Sequence, residues 1–160
     1  MNDARGPSVS RLFLFEGVSL STAVWLVLMS LMLFVLLLPI SSYVAAIPFI
    51  KQEWTLSNTD AGLIFSALLV AYAVSALLLM PLTDRFGSRA VLLTAAVISV
   101  GAHVAFPLAA HDLPTAIGLR VVAGVGFLGV YVPGLRIIAE RFPAEGKGKA
   151  MGLFVTAQYA

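Results

Sequence analysis

The sequence predicts an all-α integral membrane protein, a bundle of four complete transmembrane helices followed by the start of a fifth. Three observations carry this. Hydrophobic residues make up 60% of the 160-residue chain and charged residues only 11%, and a mean hydropathy of +0.99 is too high for a water-soluble domain of this length. The few charges are clustered: none falls in Gly17–Ile50, Ala61–Thr83 or Ala90–Ala110, and about twenty residues at 1.5 Å each cross the roughly 30 Å of hydrocarbon in a bilayer. Lysine and arginine also alternate between the gaps, with seven in the tail, the 84–89 turn and the 140–149 stretch against one, Lys51, in the other gaps.

Residues 1–16 form a polar tail carrying Arg5 and Arg11. The apolar run that follows is longer than the core of a cleaved secretory signal, so a first helix over about 22–45 is expected to be retained as a signal anchor. Ser41, Ser42 and Pro48 are expected to close it. Lys51–Asp60 then reads as a polar loop in which Ser57 or Asn58 caps a second helix over about 61–81. The charged turn Asp84-Arg85-Phe86-Gly87-Ser88-Arg89 leads into a third helix over about 90–110, and His111-Asp112-Leu113-Pro114 into a fourth over about 115–139, with Pro114 suited to a helix start. A fifth helix begins near 150. Its apolar run, Met151–Ala160, is ten residues, about half of a membrane span, so the expectation is an N-terminal portion of a longer chain. By the positive-inside rule the tail, the 84–89 turn and the 140–149 stretch face the cytoplasm.

Several function classes are disfavoured. With no cysteine there is no disulfide or thiolate chemistry, and with two histidines, His103 and His111, and no HExxH or GxSxG pattern, neither a metal site, a cofactor nor an enzyme is expected. With charges this sparse, the basic balance gives no reason to expect nucleic acid. A complete four-helix drug exporter would place a glutamate in its first helix, and Gly17–Ile50 holds no acidic residue.

The stretch Leu82-Thr83-Asp84-Arg85-Phe86-Gly87-Ser88-Arg89 resembles the signature loop between helices two and three of the major facilitator superfamily, Gly-x-Leu-Ala-Asp-Arg-x-Gly-Arg-Lys/Arg. Arg120-Val121-Val122-Ala123-Gly124-Val125-Gly126 is similar to the family's helix-four signature, and Glu140-Arg141-Phe142-Pro143 with the later Gly148-Lys149-Ala150-Met151-Gly152 looks like its link into helix five. The resemblance runs from about residue 20 to the end. It departs at Met80, where the signature has glycine, and at Ser88, where it has a basic residue.

The resemblance implies an N-terminal bundle of a secondary transporter working by alternating access in a plasma membrane, most simply a bacterial inner membrane. Its partners are then a small-molecule solute, protons, the lipid bilayer and the missing C-terminal bundle of the same chain. In the gating loop it implicates Asp84, Arg85, Gly87, Arg89 and Glu140, with Asp84, Arg89 and Glu140 expected as an ion-pair cluster. Along the solute and proton pathway it implicates Arg120, Gly124, Gly126 and Arg136. From the residues themselves, Gly87 permits a positive φ at a sharp reversal, and an arginine as deep as Arg120 costs about 2.5–3.5 kcal/mol to insert unless it faces protein or water. Arg136 stands four residues before Glu140, an ordinary helical pairing distance, so a structural role is open to it as well. His103 is expected to make a helix-packing hydrogen bond, with proton relay as the other reading. An arginine with few carboxylates nearby leans toward small anionic or polar organic solutes. A proton-driven drug efflux antiporter and a non-transporting sensor or scaffold on the same fold are the alternatives.

Overall fold

Five helices follow one another with almost no intervening chain: α1 Leu20–Trp54, α2 Asn58–Phe86, α3 Ser88–Ala109, α4 Leu113–Arg141 and α5 Ala144–Thr156. They are seen in a computed structural model that describes residues 19–159, so the expected tail at 1–16 lies outside the described residues. α1 to α4 are each long and apolar enough to cross a membrane. The protein is a multi-pass, all-helical membrane bundle.

Helix ends differ from the sequence expectation because the polar gaps themselves are helical. α1 does not close at Ser41, Ser42 or Pro48 but runs through Pro39 and Pro48 to Trp54, which shortens the expected Lys51–Asp60 loop to three residues. Inside a bilayer the alternative to a helical bond is an unsatisfied polar group, so a proline is absorbed and the helix continues past it. Next to Pro39, Ser42 Oγ donates to the Leu38 carbonyl at 2.6 Å. α2 likewise passes Pro81 and reaches Phe86, so Asp84 and Arg85 lie in its last turns. α5 starts at Ala144, not near 150, drawing the Glu145–Lys149 segment into helix.

Two helix starts are fixed by capping boxes. Ser57 Oγ accepts from the Asp60 amide at 3.1 Å while an Asp60 carboxylate oxygen accepts from the Ser57 amide at 2.9 Å, which satisfies orphan donors at both positions. At α4 the Asp112 carboxylate accepts from the Thr115 amide at 2.9 Å. Bonds to the Thr115 side chain and backbone hold the Asp112 carboxyl below the usual carboxylate range. This cap is therefore present above the ordinary aspartate pKa and is lost only as the pH falls through the lowered one.

α4 is the centre of the bundle. It packs along both α2 and α3, which touch each other far less, and 56% of its apolar window is buried against 22–28% for the other three spans. Glycine makes the approach possible. A Cβ on Gly124 would run into the Leu68 carbonyl oxygen of α2, one on Gly126 would lie 2.8 Å from Ser99 of α3, and one on Gly129 would meet the Ala95 side chain. Small residues at helix contacts allow the close van der Waals packing on which association in lipid depends. Successive contacts fix the directions: along α4, Gly124 and then Arg136 meet Leu68 and then Asp84, so α2 runs in the same sense, while Gly126 and then Gly129 meet Ser99 and then Ala95, so α3 runs opposite. α1 crosses the other way to α4, placing Trp25 beside Arg141 at one end and Tyr43 beside Arg120 at the other. Outward faces carry large apolar residues such as Leu77, Leu78, Leu93 and Val97, as a lipid-facing surface requires.

Gly118 and Gly124 sit on the same helix, yet nothing lies within 4 Å of a Cβ added at Gly118. Gly124→Ala is expected to cost about 1–3 kcal/mol through overpacking, whereas Gly118→Ala should leave the protein as stable or more so. Thermal unfolding of the two variants in detergent checks this; equal midpoints would remove the close α2–α4 contact.

Candidate functional site

Three helices enclose a cavity of about 490 Å³ at the end of the bundle nearest the α1–α2 and α3–α4 turns. α1 contributes Ser42, Tyr43, Ile50, Glu53 and Trp54, α3 contributes His103, Phe106 and Pro107, and α4 contributes Arg120; Ala110 and His111 complete the wall. The volume falls within the range of small-molecule sites.

Arg120 is the feature that distinguishes this cavity. It is buried, with 4% of its surface exposed, and the guanidinium carbon lies 4.1 Å from the Tyr43 ring centroid and 4.4 Å from that of Phe106. Those rings meet edge to face at 86°, and the Tyr43 hydroxyl donates to the Ala61 carbonyl at 3.1 Å, so the clamp is anchored to α2. Arg120 Nε has no hydrogen-bond partner among the described residues. Glu53 lines the same cavity but makes no ion pair with it. Arg120 is thus turned inward, toward protein, as its insertion cost requires. What results is a cation held by π faces whose planar donor edge is unspent, suited to a carboxylate or another planar anion.

His103 lines the same cavity. Its Nδ1 lies 2.7 Å from the Ser99 carbonyl oxygen one turn back, so the bond stays within α3 and does not join two helices, as had been expected. The cavity position was not legible in sequence, because the walls come from residues up to 81 positions apart, Pro39 to Arg120.

Gly124 and Gly126, expected along the solute pathway, instead face α2 and α3 as packing contacts; the space a side chain would need is taken by the neighbouring backbone. Arg136 takes the helical pairing with Glu140 that its spacing allows. About 24 Å from Arg120 at 1.5 Å per residue, it donates to Asp84 at 2.5 Å and to Glu140 at 3.2 Å. The expected ion-pair cluster therefore has Arg136, not Arg89, as its cation. Arg136 and Glu140 share a face of α4, and the parallel run of α2 brings Asp84 abreast of them. Arg89 lies beyond the reversal in the first turn of α3, lining a 540 Å³ cavity with Glu140 and Arg141. Arg85 turns away, its guanidinium 5.4 Å from the Phe86 ring centroid.

Gly87 alone separates α2 from α3, with φ 83° and ψ 145°, a combination open essentially to glycine. The first turn of α3 has no side-chain cap, and the Asp84 carboxylate goes to Arg136 and not to that helix start. Among the described residues no group of three histidines and carboxylates assembles as a metal site would require.

The Major Facilitator Superfamily family model matches residues 20–160. The chain belongs to the major facilitator superfamily. It is therefore part of a family of membrane transporters, not enzymes. Similar curated proteins include a probable sulfoacetate transporter of Cupriavidus necator, 30% identical over 78% of this chain and 29% of that protein. A 4-hydroxybenzoate transporter of Pseudomonas putida is 30% identical over 70% of this chain and 24% of its own length, and an arabinose-proton symporter of Bacillus subtilis is 29% identical over 68% and 23%. The chain thus spans less than a third of each of these relatives. No solved structure matches it significantly.

The Asp84–Arg136 pair is half exposed, with side-chain exposures of 68% and 48%, so its contribution to stability is expected to be small, below about 1 kcal/mol. A double-mutant cycle of Asp84→Asn and Arg136→Gln, read by unfolding in detergent, tests that. A coupling of several kcal/mol would instead make the pair a structural tie.

Proposed function

We propose that the protein is a secondary transporter that moves a small anionic or polar organic solute across a plasma membrane by alternating access, coupled to protons, with the Arg120 cavity as its half of the solute site. The observation that carries this is the buried Arg120 guanidinium, packed against the rings of Tyr43 and Phe106 with an unpartnered Nε, in a cavity of small-molecule size. Evolutionary company supports it: two relatives are a probable sulfoacetate transporter and a 4-hydroxybenzoate transporter, whose solutes are anions at neutral pH, and a third is an arabinose-proton symporter. The remaining half of the site belongs to a C-terminal bundle, as transporters built from repeats bind solute near the midplane between them. In a bacterial inner membrane the Gly87 turn would face the cytoplasm, as would the chain's N-terminus, in keeping with the seven-to-one bias of basic residues.

Arg120→Gln keeps a polar side chain but loses charge and fork. In proteoliposomes made from the protein expressed from its complete coding sequence, it is expected to weaken uptake of small carboxylates roughly 10- to 100-fold. Unchanged uptake in a folded Arg120→Gln protein would sink the anion site. The absence of any solute-driven flux or pH change with the unaltered protein would favour the sensor or scaffold reading.

The Asp84, Arg136 and Glu140 cluster, with Arg85, Gly87 and Arg89 around the turn, gates the cytoplasmic side in this reading. Contacts that exist in one conformation bias an alternating-access equilibrium. Asp84→Asn should therefore change the transport rate several-fold, or the labelling of a cytoplasmic cavity residue, while leaving insertion and stability near normal. Normal transport in that variant would reduce the cluster to a topological signal.

A further inference from the structure

We propose that His103 accepts a hydrogen bond from a hydroxyl of the solute, so that the cavity selects small acids bearing both an anionic group and a hydroxyl. This rests on the reading of the cavity as the solute site, and adds the acceptor that complements Arg120.

The ring nitrogens of His103 have different surroundings. Nδ1 stands 2.7 Å from the Ser99 carbonyl oxygen; a carbonyl only accepts, so Nδ1 carries the hydrogen. In the neutral ring Nε2 is then a lone-pair acceptor. That atom is shielded from solvent and has no partner among the described residues. His103 and Arg120 line one cavity, and each leaves one nitrogen unspent, a donor on Arg120 and an acceptor on His103.

The rest of the wall offers little competition. The Tyr43 hydroxyl is committed to the Ala61 carbonyl, and Phe106, Pro107 and Ile50 are apolar. Glu53, Ser42 and His111 are acceptors too, but all three are exposed, where water competes, and the negative charge of Glu53 repels an anion. A buried acceptor left unmatched carries a desolvation penalty, so a solute that supplies the missing hydroxyl is preferred to its hydrogen analogue. A neutral imidazole beside a guanidinium also sets the polarity of binding, with the anionic end on α4 and the hydroxyl on α3.

The test uses matched pairs of probes on the protein from its complete coding sequence in lipid nanodiscs, titrated calorimetrically. The pairs are lactate with propionate, and 2-, 3- and 4-hydroxybenzoate with benzoate. At least one hydroxylated acid is expected to bind roughly five- to tenfold tighter than its parent. His103→Phe should abolish that preference, each hydroxylated acid then binding no tighter than its parent, and His103→Gln, whose amide oxygen accepts, should retain part of it; His103→Ala serves if the phenylalanine variant does not fold. Parent and hydroxylated acids binding equally, with affinity still lost in Arg120→Gln, would overturn the role of His103 and leave the anion site standing. A preference that survives His103→Phe would do the same. Acids that fail to bind, or that bind equally well to Arg120→Gln, would remove the solute site and this inference together.

Discussion

Everything in this bundle depends on how closely α4 can approach its neighbours. Lipid tails are as apolar as leucine side chains, so burying more leucine does not draw two membrane helices together; contact distance does. α4 meets α2 backbone to backbone at Gly124, where the Leu68 carbonyl occupies the space of a side chain, and it meets α3 at Gly126 and Gly129. This leaves α4 with few lipid-facing positions and makes it the rigid spine. Arg120 and Arg136 both ride on it, toward opposite ends, so the glycine contacts set the positions of the cavity and of the charged cluster without belonging to either.

The burial of Arg120 is the main energetic anomaly, and its surroundings account for it. An arginine at this depth costs about 2.5–3.5 kcal/mol on insertion scales. Each desolvated cation–π contact returns about 2 kcal/mol, and Arg120 makes two, at 4.1 and 4.4 Å. The sum is of the same size as the cost, so the charge is held in place without a protein carboxylate. A salt bridge would have stabilised it too, but would have consumed the donor edge. The aromatic rings offset the penalty from two adjacent sides, their centroids 5.8 Å apart and their planes at 86°, and Nε is left without a protein partner for a ligand to meet.

How much of this was legible in the sequence depended on the range of the interaction. The four spans followed from uncharged runs, and the Ser57 cap and the positive φ of Gly87 followed from local chemistry. Helix ends were misplaced at Pro48, at Pro81 and near residue 150 because proline and polar residues end helices in water, while here the helical bonds persist through them. Gly124 and Gly126 were visible as small residues, but a sequence does not say which side of a helix meets a neighbour and which meets a cavity. Arg136 could be paired with Glu140 from spacing alone, whereas Asp84 is 52 residues away and enters only through the parallel packing of α2 on α4. His103 was undervalued for the same reason: its hydrogen bond is local, but the cavity around it joins α1, α3 and α4.

The packing of α2 on α4 also constrains how the charged cluster can act. Asp84 and Arg136 belong to helices locked together at Gly124, so their bond does not break by sliding one helix past the other. The two carboxylates share one guanidinium, however, and both stay largely exposed, at 68% and 64%. Arg136 is the cation paired with both carboxylates among the described residues, while Arg89 and Arg141 line a cavity with Glu140 beside it. A charged group or helix terminus from outside this unit can exchange with these contacts in one conformation and leave in another. On the proposed gating mechanism, then, Arg136 holds the carboxylates in register and the switch is made by what meets them, which is the arrangement a rigid half-bundle rocking against a second one requires.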